Sequence, residues 1–141
     1  MSGTVRSTMS IDEIEALVKA FETGSMPPGD FSHRRHLTVA LSYLTSMEYE
    51  AAVDIMRAGL KRFLAHHGID GYHETITVFW LRRLFGFVAK RGPNESRLEL
   101  IGRCLEQNAE GKVIFKYYRR ERLISETAKL EWVEPDLRPM D

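Results

Sequence analysis

Cysteine is nearly absent: Cys104 stands alone among 141 residues. One thiol closes no internal disulfide and builds no cysteine metal site. It suits a reducing compartment, so a cytoplasmic location is expected, with Cys104 acting as a small buried hydrophobe. Long apolar runs are absent too. No stretch approaches the ~18 consecutive apolar residues of a membrane-spanning helix, and no membrane partner is expected. The opening MSGTVRSTMS lacks the apolar segment of a signal peptide. Residues 1–9 are expected to form a disordered tail, followed by one domain over residues 10–141.

Charge of one sign is missing as well. Twenty basic residues balance twenty acidic ones, and the formal net charge is zero. That leaves no electrostatic footprint for nucleic acid. The basic clusters at Arg34-Arg35, Arg82-Arg83 and Arg119-Arg120 are short and scattered, the pattern of solvated helix faces. Several catalytic signatures are also missing: a G-x-S-x-G elbow, a P-loop, an H-E-x-x-H zinc helix, and the paired Glu-x-x-His motifs of di-iron bundles.

What remains is helical periodicity with clear punctuation. Ser10 and Glu13 form a capping box, and Ile14, Leu17, Val18 and Phe21 then recur on one face until Gly24. A second helix is predicted over residues 32–47, capped by Asp30 or Ser32. Its inner stripe is Leu37, Ala40, Leu41, Tyr43, Leu44 and Met47, and its wet face is Arg34, Arg35, Thr38, Ser42 and Thr45. A third follows over residues 48–66. The fourth, residues 73–91, is apolar most of the way round and is expected in the middle of a bundle. A second capping box, Ser96 with Glu99, opens a fifth over residues 96–108. Beyond Gly111, VIFKYYRRERL and SETAKLEW predict short helical pieces, the second capped by Ser125. The Pro-containing tail is extended and anchored by Trp132. No segment reads as a firm strand. The fold class is therefore all-α: a single-domain bundle of about five main helices.

The chemistry lies in the histidines. His33 and His36 are three apart, so they project from one side of a helix, and both continue its apolar stripe. His73 continues the line Thr77, Trp80, Leu84. Glu74 continues Val78 and Leu81. Imidazoles on buried stripes need partners. Three neutral nitrogens, His33, His36 and His73, fit a catalytic zinc site with one open position. Two histidines with a carboxylate fit non-haem iron. Glu74 is ligand or general base, Glu22 a further ligand or a carboxylate orienting an imidazole, and Tyr72 and Thr77 hydrogen-bonding groups for a small-molecule substrate. His66 and His67, at a helix C-terminus, suit the helix dipole and surface exposure. The expectation is a divalent-metal enzyme, hydrolase or lyase ahead of iron oxygenase. The alternative is a non-catalytic ligand-binding or interaction module with structural histidines. Phe79 and Phe87 suit a core or a homodimer face equally.

FSHRRHLTVALSYL, GYHETITVFW and SETAKLEWVEPDL together resemble a group of small bacterial proteins of unknown function. These are marked by F-x-H-R-x-H-L, then Y-H-E-T with hydrophobic-T, then a terminal W/F-V-x-P-D. The resemblance runs from Phe21 to Leu137. It implies a shared architecture and a shared site at His33, His36, Tyr72, His73, Glu74 and Thr77, and names no substrate.

Overall fold

A computed structural model describes residues 9–140 of the chain, so the expected N-terminal tail falls almost wholly outside the described residues. The order of helices is α1 (Ile11–Thr23), α2 (His33–Leu44), α3 (Tyr49–His66), α4 (Glu74–Val88), α5 (Arg97–Gln107), α6 (Arg120–Leu123) and α7 (Glu126–Leu130). Short 3₁₀ turns stand at Pro28–Asp30 and Gly111–Lys116. Among the described residues there is no strand, and the all-α bundle of five main helices is the observed architecture.

Local chemistry sets the helix starts. Both capping boxes form as expected, at Ser10/Glu13 and Ser96/Glu99. The Ser32 hydroxyl accepts from the Arg35 N–H and starts α2. Gly24 ends α1 with φ of 78°, a left-handed geometry that a Cβ would strain. Gly59 answers a different need. A Cβ there would meet the Phe21 ring at 2.8 Å, so its absence lets α3 close on α1.

The central helix is α2, a correction to the expectation for α4. α2 packs against α1, α3, α4 and α5, and every residue from Leu37 to Leu44 is buried. Thr38 and Ser42, assigned to the wet face, lie inside. The small side chains at positions 38, 40 and 42 let neighbours approach from all sides. Their hydroxyls are also satisfied: Thr38 Oγ1 donates to the Arg34 carbonyl, and Ser42 Oγ and O accept from Arg97. α4 is less enclosed than its composition suggests, with Phe85 exposed and Phe87 half-buried. Cys104 is buried as expected.

Two apolar clusters result. The larger joins α1 to α5. The smaller gathers Phe79, Ile114, Tyr117, Tyr118 and Leu123 under the C-terminal segment, and Trp80 packs against both. The region 112–123, expected to be helical, splits into the 3₁₀ turn and the single turn of α6. Trp132 anchors the tail as expected: its indole lies edge-on to Tyr118, with the Arg82 guanidinium 4.0 Å above it.

Candidate functional site

The first turns of α2 and α4 converge beside α3, and two cavities open there. The inner one, about 130 Å³, is lined by His33, His36, Leu37, Ala40, Met56, Ile76, Thr77, Trp80 and Leu81. The outer one, about 340 Å³, is walled by Phe31, Leu60, Phe63, Ile69 and Tyr72 among others. His36, Ile76 and Thr77 line both. The outer space falls within the range of small-molecule sites. The inner one is close to the size of cavities that admit benzene.

His36 is the polar focus of this space. Its ring lies 4.7 Å from that of Phe31, which in turn stacks on Phe21 and Phe63. Among the described residues, neither imidazole nitrogen has a hydrogen-bond partner. Burial, with a smaller contribution from neighbouring His33, lowers its pKa from the ordinary 6.5 to about 4. The ring is neutral at physiological pH, with one N–H donor and one bare nitrogen acceptor. It keeps some solvent-accessible surface because it faces the cavities.

His33 is held more firmly. Its Nε2–H donates to the Asn108 carbonyl oxygen at 3.0 Å, and its ring meets the Trp80 edge at 4.8 Å. This fixes the tautomer and leaves Nδ1 as an acceptor. Asn108 closes α5 and is 2% exposed. Its amide donates to the Cys104 carbonyl and its Oδ1 accepts from Arg83 Nε. Asn108 was not singled out in the sequence. An asparagine just past the last turn of an amphipathic helix was the only available signal.

His73 departs from the expected picture. It is the N-cap of α4 rather than a residue on its stripe, and its side chain folds back so that Nδ1 accepts from the Ile76 N–H. Its Nε2–H donates to the Leu123 carbonyl at 2.7 Å. Both nitrogens are occupied, so His73 offers no lone pair to a metal in this arrangement. Among the described residues, no three His, Cys, Asp or Glu side chains come together as a metal-holding group.

The carboxylates are committed elsewhere. Glu74 receives two Arg57 Nε–H contacts at 3.0 and 3.2 Å and an Nη2–H bond at 2.7 Å, and the Tyr72 hydroxyl donates to its Oε1. The Arg57 guanidinium, more than any other group, holds the Glu74 carboxyl below its ordinary pKa. A carboxylate so stabilised is a poor proton acceptor. Glu22 accepts from the Tyr43 hydroxyl at 2.6 Å and lines neither cavity. The Thr77 hydroxyl donates to the His73 carbonyl one turn back and also interacts with the Tyr72 side chain.

His66 and His67 also stay outside both linings. His66 is exposed, as expected, with its ring over Gly24. His67 is only half-buried, its ring against Phe63, and its Nε2 is buried without a partner.

Thr75 reveals what the Y-H-E-T stretch does locally. Its buried hydroxyl donates to the Glu131 carbonyl and accepts from the Val133 N–H. His73 pins the end of α6, and Thr75 the segment after α7, onto the start of α4, while Tyr72 and Glu74 pin α4 to α3 through Arg57. No protein-family model matches the chain, and neither the curated proteins nor the solved structures contain a match to it.

Proposed function

We propose that this chain binds a small, largely apolar molecule carrying one hydrogen-bonding group, in the cavities between α2, α3 and α4. The observation that carries this reading is His36: a neutral imidazole without a hydrogen-bond partner among the described residues, facing a mostly apolar space. A ligand hydroxyl that pairs with this ring nitrogen would gain a hydrogen bond worth about 0.5–1.5 kcal/mol net of the water it replaces. An aromatic ring in the inner cavity would stack near Trp80 and His33, and a hydroxyl or amide on it would reach His36. Thr77 brings a hydroxyl to the same wall. With Glu74 and Tyr72 closed off as acid and base, binding is the reading the geometry supports best, ahead of turnover.

A metal remains the second reading, on one observation. His33 donates one ring N–H to a backbone carbonyl, the usual support of a metal-bound imidazole, and lines the inner cavity together with His36.

Probe binding separates the two. Phenol and toluene differ by the one hydroxyl that His36 would engage. Phenol is expected to bind at least about tenfold more tightly, because a site built around a hydrogen bond rejects the analogue without it. His36→Phe should erase that preference. Equal binding of the two probes, or none at millimolar concentration, would overturn the proposal. Stoichiometric zinc uptake lost in both His33→Ala and His36→Ala would establish the metal reading instead.

A further inference from the structure

A third cavity, of about 510 Å³, lies where the outer face of α4 meets the C-terminal segment. Its character is opposite to that of the histidine site. Arg82, Arg83, Lys90 and Arg138 line it, and among the described residues only Glu134 brings a carboxylate. In a chain whose net charge is zero, this lining carries a formal excess of three positive charges.

The guanidiniums are held in place by neutral groups. Arg83 Nε–H donates to Asn108 Oδ1 at 2.7 Å and its Nη1 donates to the Tyr117 hydroxyl at 3.2 Å. Arg82 lies over the Trp132 indole, and Arg138 sits 5.2 Å from the centre of the Tyr117 ring. Arg57 and Arg103, by contrast, each meet a carboxylate. None of the four cations in this cavity forms an ion pair among the described residues. They are oriented without being neutralised, which favours an incoming oxyanion.

The floor supports the same conclusion. Gly86 lies one helical turn from both Arg82 and Lys90. A Cβ built there meets nothing within 4 Å, so helix packing does not require glycine. Gly86 stands in the last turn of α4, where glycine is less stable than alanine by at most about 0.8–1.0 kcal/mol. What it provides is open space between the cationic side chains.

We propose that this cavity binds a small oxyanion with two or more negative charges, a phosphoryl compound or a polycarboxylate. The absence of net positive charge over the chain argues against an extended nucleic acid, which needs a broad basic face.

Calorimetric titration of the full chain with pyrophosphate, citrate and a ten-nucleotide RNA tests this. At least one of the two small anions should bind, and the affinity should fall as salt rises from 20 to 150 mM, since exposed charges are screened. Which of them binds more tightly distinguishes phosphoryl from carboxylate ligands. Arg138→Gln and Lys90→Gln should each weaken binding about tenfold, the scale of one charged hydrogen bond. Neither residue anchors another side chain by a hydrogen bond, so folding should be preserved. Gly86→Leu should weaken binding without changing any charge. Binding unaffected by all three variants would overturn the proposal. So would the absence of small-anion binding at low salt, or RNA binding far more tightly than either small anion.

Discussion

At the start of α2, His36 faces a cavity, and neither ring nitrogen is paired among the described residues. At the start of α4, His73 has both nitrogens bonded to backbone, one to its own helix and one to the Leu123 carbonyl. In sequence the two residues look alike, each a histidine at the head of an apolar helix. The difference arises from backbone position. His36 lies inside α2, so its side chain must point where the helix face points. His73 is the N-cap, with extended backbone, so its ring is free to turn back and serve the helix end. A histidine within a helix presents its chemistry outward, and one just before a helix can be consumed by the structure.

That comparison can be broken by mutation, and the largest effect belongs to the closed histidine. His73→Ala removes a cap and the tether to Leu123, and should destabilise the fold by about 2–4 kcal/mol in urea unfolding. Thr75→Val strips the buried hydroxyl that serves Glu131 and Val133. A loss of about 1–3 kcal/mol is expected, with faster amide exchange confined to the C-terminal segment. Arg57→Ala leaves the Glu74 carboxylate with Tyr72 alone. It should cost about 1–2 kcal/mol in the same unfolding assay, less than a fully buried broken pair because Arg57 remains a third exposed.

The open histidine should show the smallest effect on stability. His36→Leu removes unpaired polar atoms from an apolar setting, and a change within about 1 kcal/mol, of either sign, is expected. A His36→Leu loss exceeding that of His73→Ala would invert the comparison. The pH dependence has a definite sign. Between the ordinary value of 6.5 and about 4, the unfolded chain binds the His36 proton and the folded chain does not. Stability therefore falls as pH drops through that window. The denaturation midpoint measured from pH 7 to 4 should fall more steeply in the parent chain than in His36→Leu.

The elements easiest to read from sequence were those decided within a few residues. Ser10 with Glu13 and Ser96 with Glu99 announce helix starts because donor and acceptor are three residues apart. The stripe carrying His33 and His36 was legible for the same reason, as was the placement of His36 on an inward face. What escaped depends on distant backbone. The Leu123 carbonyl that engages His73 lies 50 residues away, and the Thr75 partners lie 56 and 58 residues away. A carbonyl carries no side-chain signature, so no motif reveals it. The pairing of Glu74 was not legible because Arg57, on another helix, is an ordinary surface arginine until α3 and α4 are packed together. The burial of Thr38 and Ser42 was hidden likewise, since their polarity suggests water and only the approach of α5 removes it.

His73 stands apart from His33 and His36, because both of its ring nitrogens already serve backbone groups. Long-range proton–nitrogen spectra of the imidazole rings, assigned with single histidine variants, test it most directly. On addition of phenol, His36 should shift while His73 keeps the pattern of a ring protonated at Nε2, and on addition of zinc His73 should again stay unchanged. Coincident shifts of His33, His36 and His73 with one equivalent of zinc would contradict the account and restore a three-histidine metal centre.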